Sequence, residues 1–125
     1  MKTFATAILV LLALGLTGCT HNVAPPPPSS EGADMSRSRQ KAFDEAVGAL
    51  HSQIHAPKAD IAAVSQDDVT WEDSCLGCAK TAERCKHVIT PGYRIFLRVR
   101  DATYEYHTDR SGHDVRLCGQ AGTTQ

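Results

Sequence analysis

The stretch that follows Pro91 and Gly92 constrains the fold of this chain more than any other segment. From Tyr93 to Val99 every second side chain is apolar, and arginine occupies two of the three positions between. This alternation is typical of a strand with one buried face. Residues 103–107 alternate again after a tight reversal predicted at Asp101-Ala102, and residues 114–118 follow a turn predicted at 109–112. The sequence therefore predicts three antiparallel strands in a meander.

A helix precedes these strands. Apolar residues recur at helical spacing, and Pro57 ends the pattern; they are Phe43, Ala46, Val47, Leu50 and Ile54. Residues 61–71 predict a further strand, interrupted by a bulge or turn at residues 66–68. We therefore expect a small α+β domain over residues 39–120, in which one amphipathic helix packs on a small antiparallel sheet.

The N-terminal residues carry a targeting pattern. Lys2 is followed by an uncharged run to Leu16 that is too short to span a bilayer, and Leu16-Thr17-Gly18-Cys19 resembles the lipobox of bacterial lipoproteins. The resemblance implies that residues 1–18 are a cleaved signal peptide and that Cys19 is acylated. Thr20, in place of aspartate, implies the outer membrane, facing the periplasm. The alternative is an ordinary secretory leader with an unrelated cysteine.

Residues 19–38 are rich in proline and serine, with four consecutive prolines from Pro25. They predict a disordered, semi-rigid tether, and residues 121–125 predict a disordered tail. The formal net charge is −1, so neither a nucleic-acid partner nor a polybasic membrane segment is expected. We expect a monomer held to the membrane by its lipid anchor, with an envelope protein as its partner.

Four segments of the domain carry a resemblance to a family of small, uncharacterised secreted proteins and lipoproteins of bacteria. The family pattern is W-x-D-x-S-L-G-C, then T-P-G-Y-x-I, Y-x-Y-H-T and a final L-C. It matches the segments 71–78, 90–95, 104–108 and 117–118 of this chain. No activity is established for that family, so the resemblance implies secretion and a domain boundary but no chemistry.

The cysteines depart from this pattern in an informative way. With Cys19 acylated, four cysteines remain, and they allow three pairings. The family usually has only the cysteines that match Cys78 and Cys118, which implies that these two are bonded. Cys75 stands where the pattern has serine, and Cys85 where it tends to have an aromatic residue. A second bridge, Cys75–Cys85, accounts for both, because two free thiols are a liability in an oxidising compartment.

Two chemical alternatives use the same region. Cys75-Leu76-Gly77-Cys78 is a C-x-x-C motif that, with Cys85 and His87, could bind zinc or act as a redox dithiol. His51 and His55 share one helix face, and Glu105 with His107 could perform acid–base chemistry. We expect structural disulfides instead, with no metal, cofactor or catalytic residue.

The function expected from these features is a non-catalytic binding module. Its candidate binding surface consists of two short segments, Leu76-Gly77 and Thr90-Pro91-Gly92, which a disulfide-stapled loop would hold rigid. A more concrete alternative is a periplasmic inhibitor of a protease or lytic enzyme. The third alternative is a metal-binding or acid–base enzyme built from the histidines and cysteines.

Overall fold

The strands predicted after Gly92 form a meander, and a fourth strand precedes them. The computed structural model describes residues 24–25 and 30–122. The sheet is antiparallel, with the strands side by side in sequence order. The elements are the helix α1 (Ser30–Ile54), a 3-10 turn at Lys58–Asp60, and the strands β1 (Ala62–Asp73), β2 (His87–Val99), β3 (Ala102–Asp109) and β4 (Val115–Ala121). One helix packed on an antiparallel meander confirms the expected α+β fold.

The helix covers one side of the sheet, which we call the helix face. Ala42, Ala46 and Leu50 follow each other at four-residue intervals and are fully buried, because residues four apart share one face of a helix. They pack on the apolar positions of β2 and β3, namely Tyr93, Ile95, Leu97, Val99, Tyr104 and Tyr106. Each fully buried side chain of leucine size contributes about 1.5–3 kcal/mol, so this face holds the main hydrophobic core.

The helix begins at Ser30, so the predicted start near Arg39 was too late. The extra turns are mostly exposed and carry no apolar stripe, which is why periodicity does not reveal them. The last of these turns is attached to the sheet. Ser38 shares a 2.8 Å hydrogen bond with the Tyr93 hydroxyl, and Arg39 pairs with Asp68 at 3.0 Å. A helix anchored at one end extends easily, because each added residue gains one backbone hydrogen bond.

The N-terminal predictions fall largely outside the described part of the chain. The signal peptide, Cys19 and the proline tract beyond Pro25 are not among the described residues. In the part that is described, no helix has the length and apolar character needed to cross a membrane.

Two strand predictions were wrong in their details. β1 runs unbroken through residues 66–68, and its irregularities lie instead at Val64 and at Glu72. β2 begins at His87, so Pro91 and Gly92 lie inside the strand. Proline is tolerated there because the ladder with β3 starts only at Gly92, which leaves Pro91 at an edge where no donor to a second neighbour is needed.

The hairpin turns differ only slightly from the prediction. The turn between β2 and β3 consists of Arg100 and Asp101, one residue before the predicted pair, and Arg100 has a positive φ of 52°. β4 continues through Ala121, a residue that the sequence analysis placed in the tail.

Candidate functional site

The side of the sheet opposite the helix is organised around Trp71. Its indole lies over β2 at Gly92 and donates a 3.0 Å hydrogen bond to the carbonyl oxygen of Thr108 in β3. A Cβ atom at Gly92 would lie 2.6 Å from the indole nitrogen and 1.9 Å from the Thr108 carbonyl oxygen. Only glycine therefore lets the indole cross the strand at this distance.

The connector between β1 and β2, residues 74–86, covers this end of the sheet. The Asp73 carboxylate accepts hydrogen bonds from the backbone N–H groups of Cys75 at 2.8 Å and Gly77 at 3.2 Å, which holds the first turn. Leu76 is 1% exposed, and an added Cβ at Gly77 would contact the indole ring of Trp71 at 3.5 Å. We call this covered side the connector face.

His107 lies beneath the connector. Its ring stacks on Trp71 with a centroid distance of 4.1 Å and an interplanar angle of 19°. Nδ1 is 2.7 Å from the Leu76 carbonyl oxygen, and Nε2 is 2.9 Å from Oε1 of Glu105. Since a carbonyl oxygen can only accept, Nδ1 donates in the first of these bonds. Arg94 lies 3.5 Å from the same Glu105 oxygen.

Two disulfide bridges fasten the connector. Cys75 pairs with Cys85 within the connector, and Cys78 pairs with Cys118 in β4, with Cα–Cα distances of 5.5 and 5.4 Å. Cys78–Cys118 is the pair that the resemblance implied, and Cys75–Cys85 is the second bridge expected from the two additional cysteines. A further attachment is the ion pair between Glu83 and Arg116 in β4, at 2.7 Å. A backbone hydrogen bond from Lys80, followed by the bond from Arg116, lowers the pKa of Glu83.

A shallow groove of about 420 Å³ opens beside the second bridge. We call it the cystine groove, because both sulfur-bearing residues Cys78 and Cys118 line it. His107, Glu105 and Lys80 also face it, so the groove has polar and charged walls. The Cys78 sulfur lies 3.2 Å from Nδ1 of His107, which places an imidazole donor directly against the bridge.

Of the five residues proposed as a binding surface, Gly77 and Gly92 lie against the indole of Trp71. Leu76 and Gly92 are buried, so their side-chain positions are closed to a partner. The expectation that Leu76 is presented outward was therefore wrong. Thr90 pairs with Trp71 across the β1–β2 ladder, and only Pro91 and Gly77 are exposed.

The other histidines are separate from His107. His51 bonds through Nδ1 to the Ala56 carbonyl oxygen at 2.7 Å, and His87 bonds to that of Glu72 at 2.8 Å. His55 follows the helix in a left-handed conformation, with φ of 56°. Across residues 30–122, two groups are close enough to hold a metal ion, and neither includes these three histidines; they are Cys78 with His107 and Cys118, and Asp73 with Cys75 and Cys85. In both, the sulfurs are bonded to each other.

One exposed feature, a β-bulge in β2, has no local sequence pattern that predicts it. Between the pairs Trp71–Thr90 and Asp73–His87, β1 contributes one residue and β2 contributes two, Val88 and Ile89. This β-bulge leaves Val88 46% exposed and Ile89 61% exposed. The signal was a run of two β-branched apolar residues before a threonine and a proline, which gives no indication of the face until the register is known.

Two further groups outside the connector have shifted pKa values. Burial raises the pKa of Asp109, but hydrogen bonds from the Ser111 hydroxyl and from backbone N–H groups, including that of Asp114, outweigh it and hold the value below 3.8. Burial raises the pKa of Tyr106 to about 12, and its hydroxyl donates to Gln53 of the helix at 3.1 Å.

Fold and site together define a small α+β domain whose second sheet face is closed by a disulfide-stapled connector. The chain belongs to the family described as a domain of unknown function, DUF8738, which matches residues 43–118. The match covers more than half of the chain, from within α1 to the last cysteine, and includes both bridges. No curated protein and no solved structure is similar enough to match.

Proposed function

We propose that this protein is a lipid-anchored envelope protein whose domain is a non-catalytic module that binds another protein through Val88 and Ile89, here called the bulge pair. The observation that carries the proposal is the β-bulge itself. Bulges re-aim side chains and are frequent next to functional sites. Here the bulge turns two neighbouring β-branched side chains toward solvent at the end of the domain that the bridges fasten.

The rigidity of this end supports the proposal. The backbone N–H of Ser74 donates to the carbonyl oxygen of Lys86 at 2.9 Å, and the hydroxyl of Ser74 accepts from the N–H of Lys86 at 2.9 Å. Only His87 separates Lys86 from the bulge pair, so the pair begins two residues after a segment that is hydrogen-bonded to the stapled connector. A surface that is already ordered loses little conformational entropy on binding.

The state of His107 supports a non-catalytic role. A general base needs a free nitrogen within reach of its substrate, whereas both ring nitrogens of His107 have protein partners and its ring is stacked on Trp71. His107 is 6% exposed. These contacts are those of a histidine that holds the connector on the sheet.

The membrane attachment rests on the sequence. Leu16-Thr17-Gly18-Cys19 has the lipobox pattern, and two or more acyl chains on one residue anchor a protein stably. Cys19→Ala should move the protein from the detergent-rich membrane fraction to a soluble or leader-retained form. Unchanged mass and partitioning in that variant would end the lipoprotein proposal without affecting the bulge pair.

The binding proposal is tested by crosslinked capture from envelope extract with the full chain as bait. Ile89→Asp should abolish capture of the specific partner. Val64→Asp is the matched control, because Val64 is also a β-branched residue at a bulge of β1 and is 50% exposed. Capture that survives Ile89→Asp, or that is lost equally with Val64→Asp, would contradict the proposal. Thermal unfolding of both variants verifies that each is folded.

A further inference from the structure

The two disulfide bridges have different polar groups nearest to their sulfurs. The Cys78 sulfur lies 3.2 Å from the His107 Nδ1, and the same groove is lined by Lys80 and by Glu105, whose carboxylate is bonded to the far nitrogen of His107. The Cys75–Cys85 sulfurs instead lie near a carboxylate, with both sulfurs and an Asp73 oxygen all within 4.8 Å of one another. A positive or donor-rich neighbourhood favours a thiolate, and a carboxylate disfavours it.

Access also differs between the bridges. Cys78 and Cys118 are both partly exposed and both line the cystine groove, which is open to solvent. In the other bridge Cys85 is partly exposed, whereas Cys75 is 2% exposed. A thiolate that attacks a disulfide must approach one sulfur along the S–S axis. Both residues of Cys78–Cys118 are open to such an attack, whereas Cys75–Cys85 offers only the Cys85 side.

We propose that Cys78–Cys118 is a thiol-exchange site, through which the domain responds to a dithiol reductant in its compartment. The attacking thiolate bonds to the Cys118 sulfur. The Cys78–Cys118 bond breaks, and its electron pair leaves on the Cys78 sulfur as a thiolate. The second thiol of the reductant then attacks the mixed disulfide, which releases Cys118 as a thiol and the reductant as a cyclic disulfide. The bridge is reduced by two electrons, and the dithiol is oxidised by two.

His107 is the positioning residue in this step. Its Nδ1–H, which donates to the Leu76 carbonyl oxygen, is the donor nearest to the sulfur on which the charge develops. Glu105 fixes the ring through Nε2, and Arg94 lies against the same carboxylate. A leaving thiolate that is stabilised leaves faster, so the imidazole directs attack to Cys118 and departure to Cys78.

The consequence of exchange is local. Cys118 belongs to β4, whereas Cys78 belongs to the connector, so opening this bridge removes the covalent link between the connector and β4. The Cys75–Cys85 bridge keeps the connector's own shape. Reduction would thereby loosen the cover over His107 while the sheet and helix stay intact.

The test is a time course with dithiothreitol on the folded, full-length protein, followed by alkylation and peptide mapping. We expect Cys78–Cys118 to open at least about ten times faster than Cys75–Cys85. With a monothiol, the mixed disulfide should form on Cys118. Earlier opening of Cys75–Cys85, a mixed disulfide on Cys78, or stoichiometric zinc in the isolated protein would overturn the proposal.

A variant separates the proposed role of His107 from simple packing. His107→Gln should slow the opening of Cys78–Cys118 by about threefold to tenfold, because the leaving thiolate loses its donor. A purely structural role predicts the opposite sign, since a loosened connector exposes the bridge and speeds its reduction. His87→Gln is the control and should change neither rate. If His107→Gln fails to fold, the site of the mixed disulfide in the unmodified protein still decides the question.

Discussion

The two faces of the sheet are closed by different means. The helix face is covered by Ala42, Ala46 and Leu50, which pack on apolar side chains of the strands. The connector face is covered by a segment without regular secondary structure, held by Trp71, His107 and two bridges. The first face is stabilised mainly by apolar burial, and the second by covalent links and specific hydrogen bonds.

This difference shows how a small domain can close both sides of its sheet. A chain of this size buries a modest fraction of its surface, and bridges or similar links often supplement the core. Here one helix supplies the core, and the bridges allow a short polar connector to replace a second helix. The connector face can therefore carry a recognition surface or a reactive bridge without disturbing the packing of the hydrophobic core on the helix face.

The largest expected effect concerns the bridges. Replacing Cys78 and Cys118 with alanine should lower the free energy of unfolding by about 4 kcal/mol, and replacing Cys75 and Cys85 by about 3 kcal/mol, because the first bridge closes the longer loop. Their sequence separations are 40 and 10 residues. Urea unfolding measures both. A larger loss from the Cys75–Cys85 pair would show that the connector, rather than its attachment to β4, is the stabilising unit.

A pair of glycines compares the two faces directly. Gly92→Ala should cost about 3 kcal/mol, because its Cβ would lie 1.9 Å from the Thr108 carbonyl oxygen and displace Trp71. Gly48→Ala, within the helix and with nothing within 4 Å of its Cβ, should instead stabilise by about 0.5–1 kcal/mol. Thermal unfolding of the two variants gives the signs. A tolerated Gly92→Ala would mean that Trp71 does not need to cross β2 closely.

The helix face was the part that sequence could predict. The predicted helical stripe and the alternation from Tyr93 to Val99 are local patterns. Ala46 and Leu50 of the stripe are fully buried, its other members, Phe43, Val47 and Ile54, are partly buried against the core, and the fully buried Ala42 was not among the predicted residues. On the connector face, the outcome depends on the register between strands. Neither the indole over Gly92 nor the exposure of Ile89 has a local pattern, because both follow from where β1 pairs with β2.

A smaller effect is expected on the helix face. Tyr106→Phe should cost about 1 kcal/mol at neutral pH, because it removes the hydrogen bond to Gln53. The pKa of Tyr106 is raised to about 12 from 10.0, so its contribution is complete below pH 10 and is lost as the pH rises toward 12. The unfolding free energies of wild type and variant should therefore differ at neutral pH and converge as the pH rises above 10. A constant difference would contradict the burial of this hydroxyl.

The smallest effect concerns the turn before β4. The pKa of Asp109 lies below its ordinary value of 3.8, so the ionised carboxylate stabilises the fold above about pH 4, and this contribution is lost as the pH falls through the folded value. Asp109→Asn should cost about 0.5–1 kcal/mol at pH 7 and little in strong acid. Acid titrations followed by circular dichroism compare the two proteins. An equal loss at both pH extremes would point to geometry rather than charge.

Closure of the connector face depends on the bridges, whereas the packing of α1 on the helix face does not. The chain has a single tryptophan, Trp71, so its fluorescence reports the connector face alone, while far-ultraviolet circular dichroism reports mainly α1. When both bridges are reduced at 25 °C, we expect the tryptophan emission to shift to longer wavelength while the helical signal persists. Simultaneous loss of both signals, or an unshifted emission after complete reduction, would contradict this expectation.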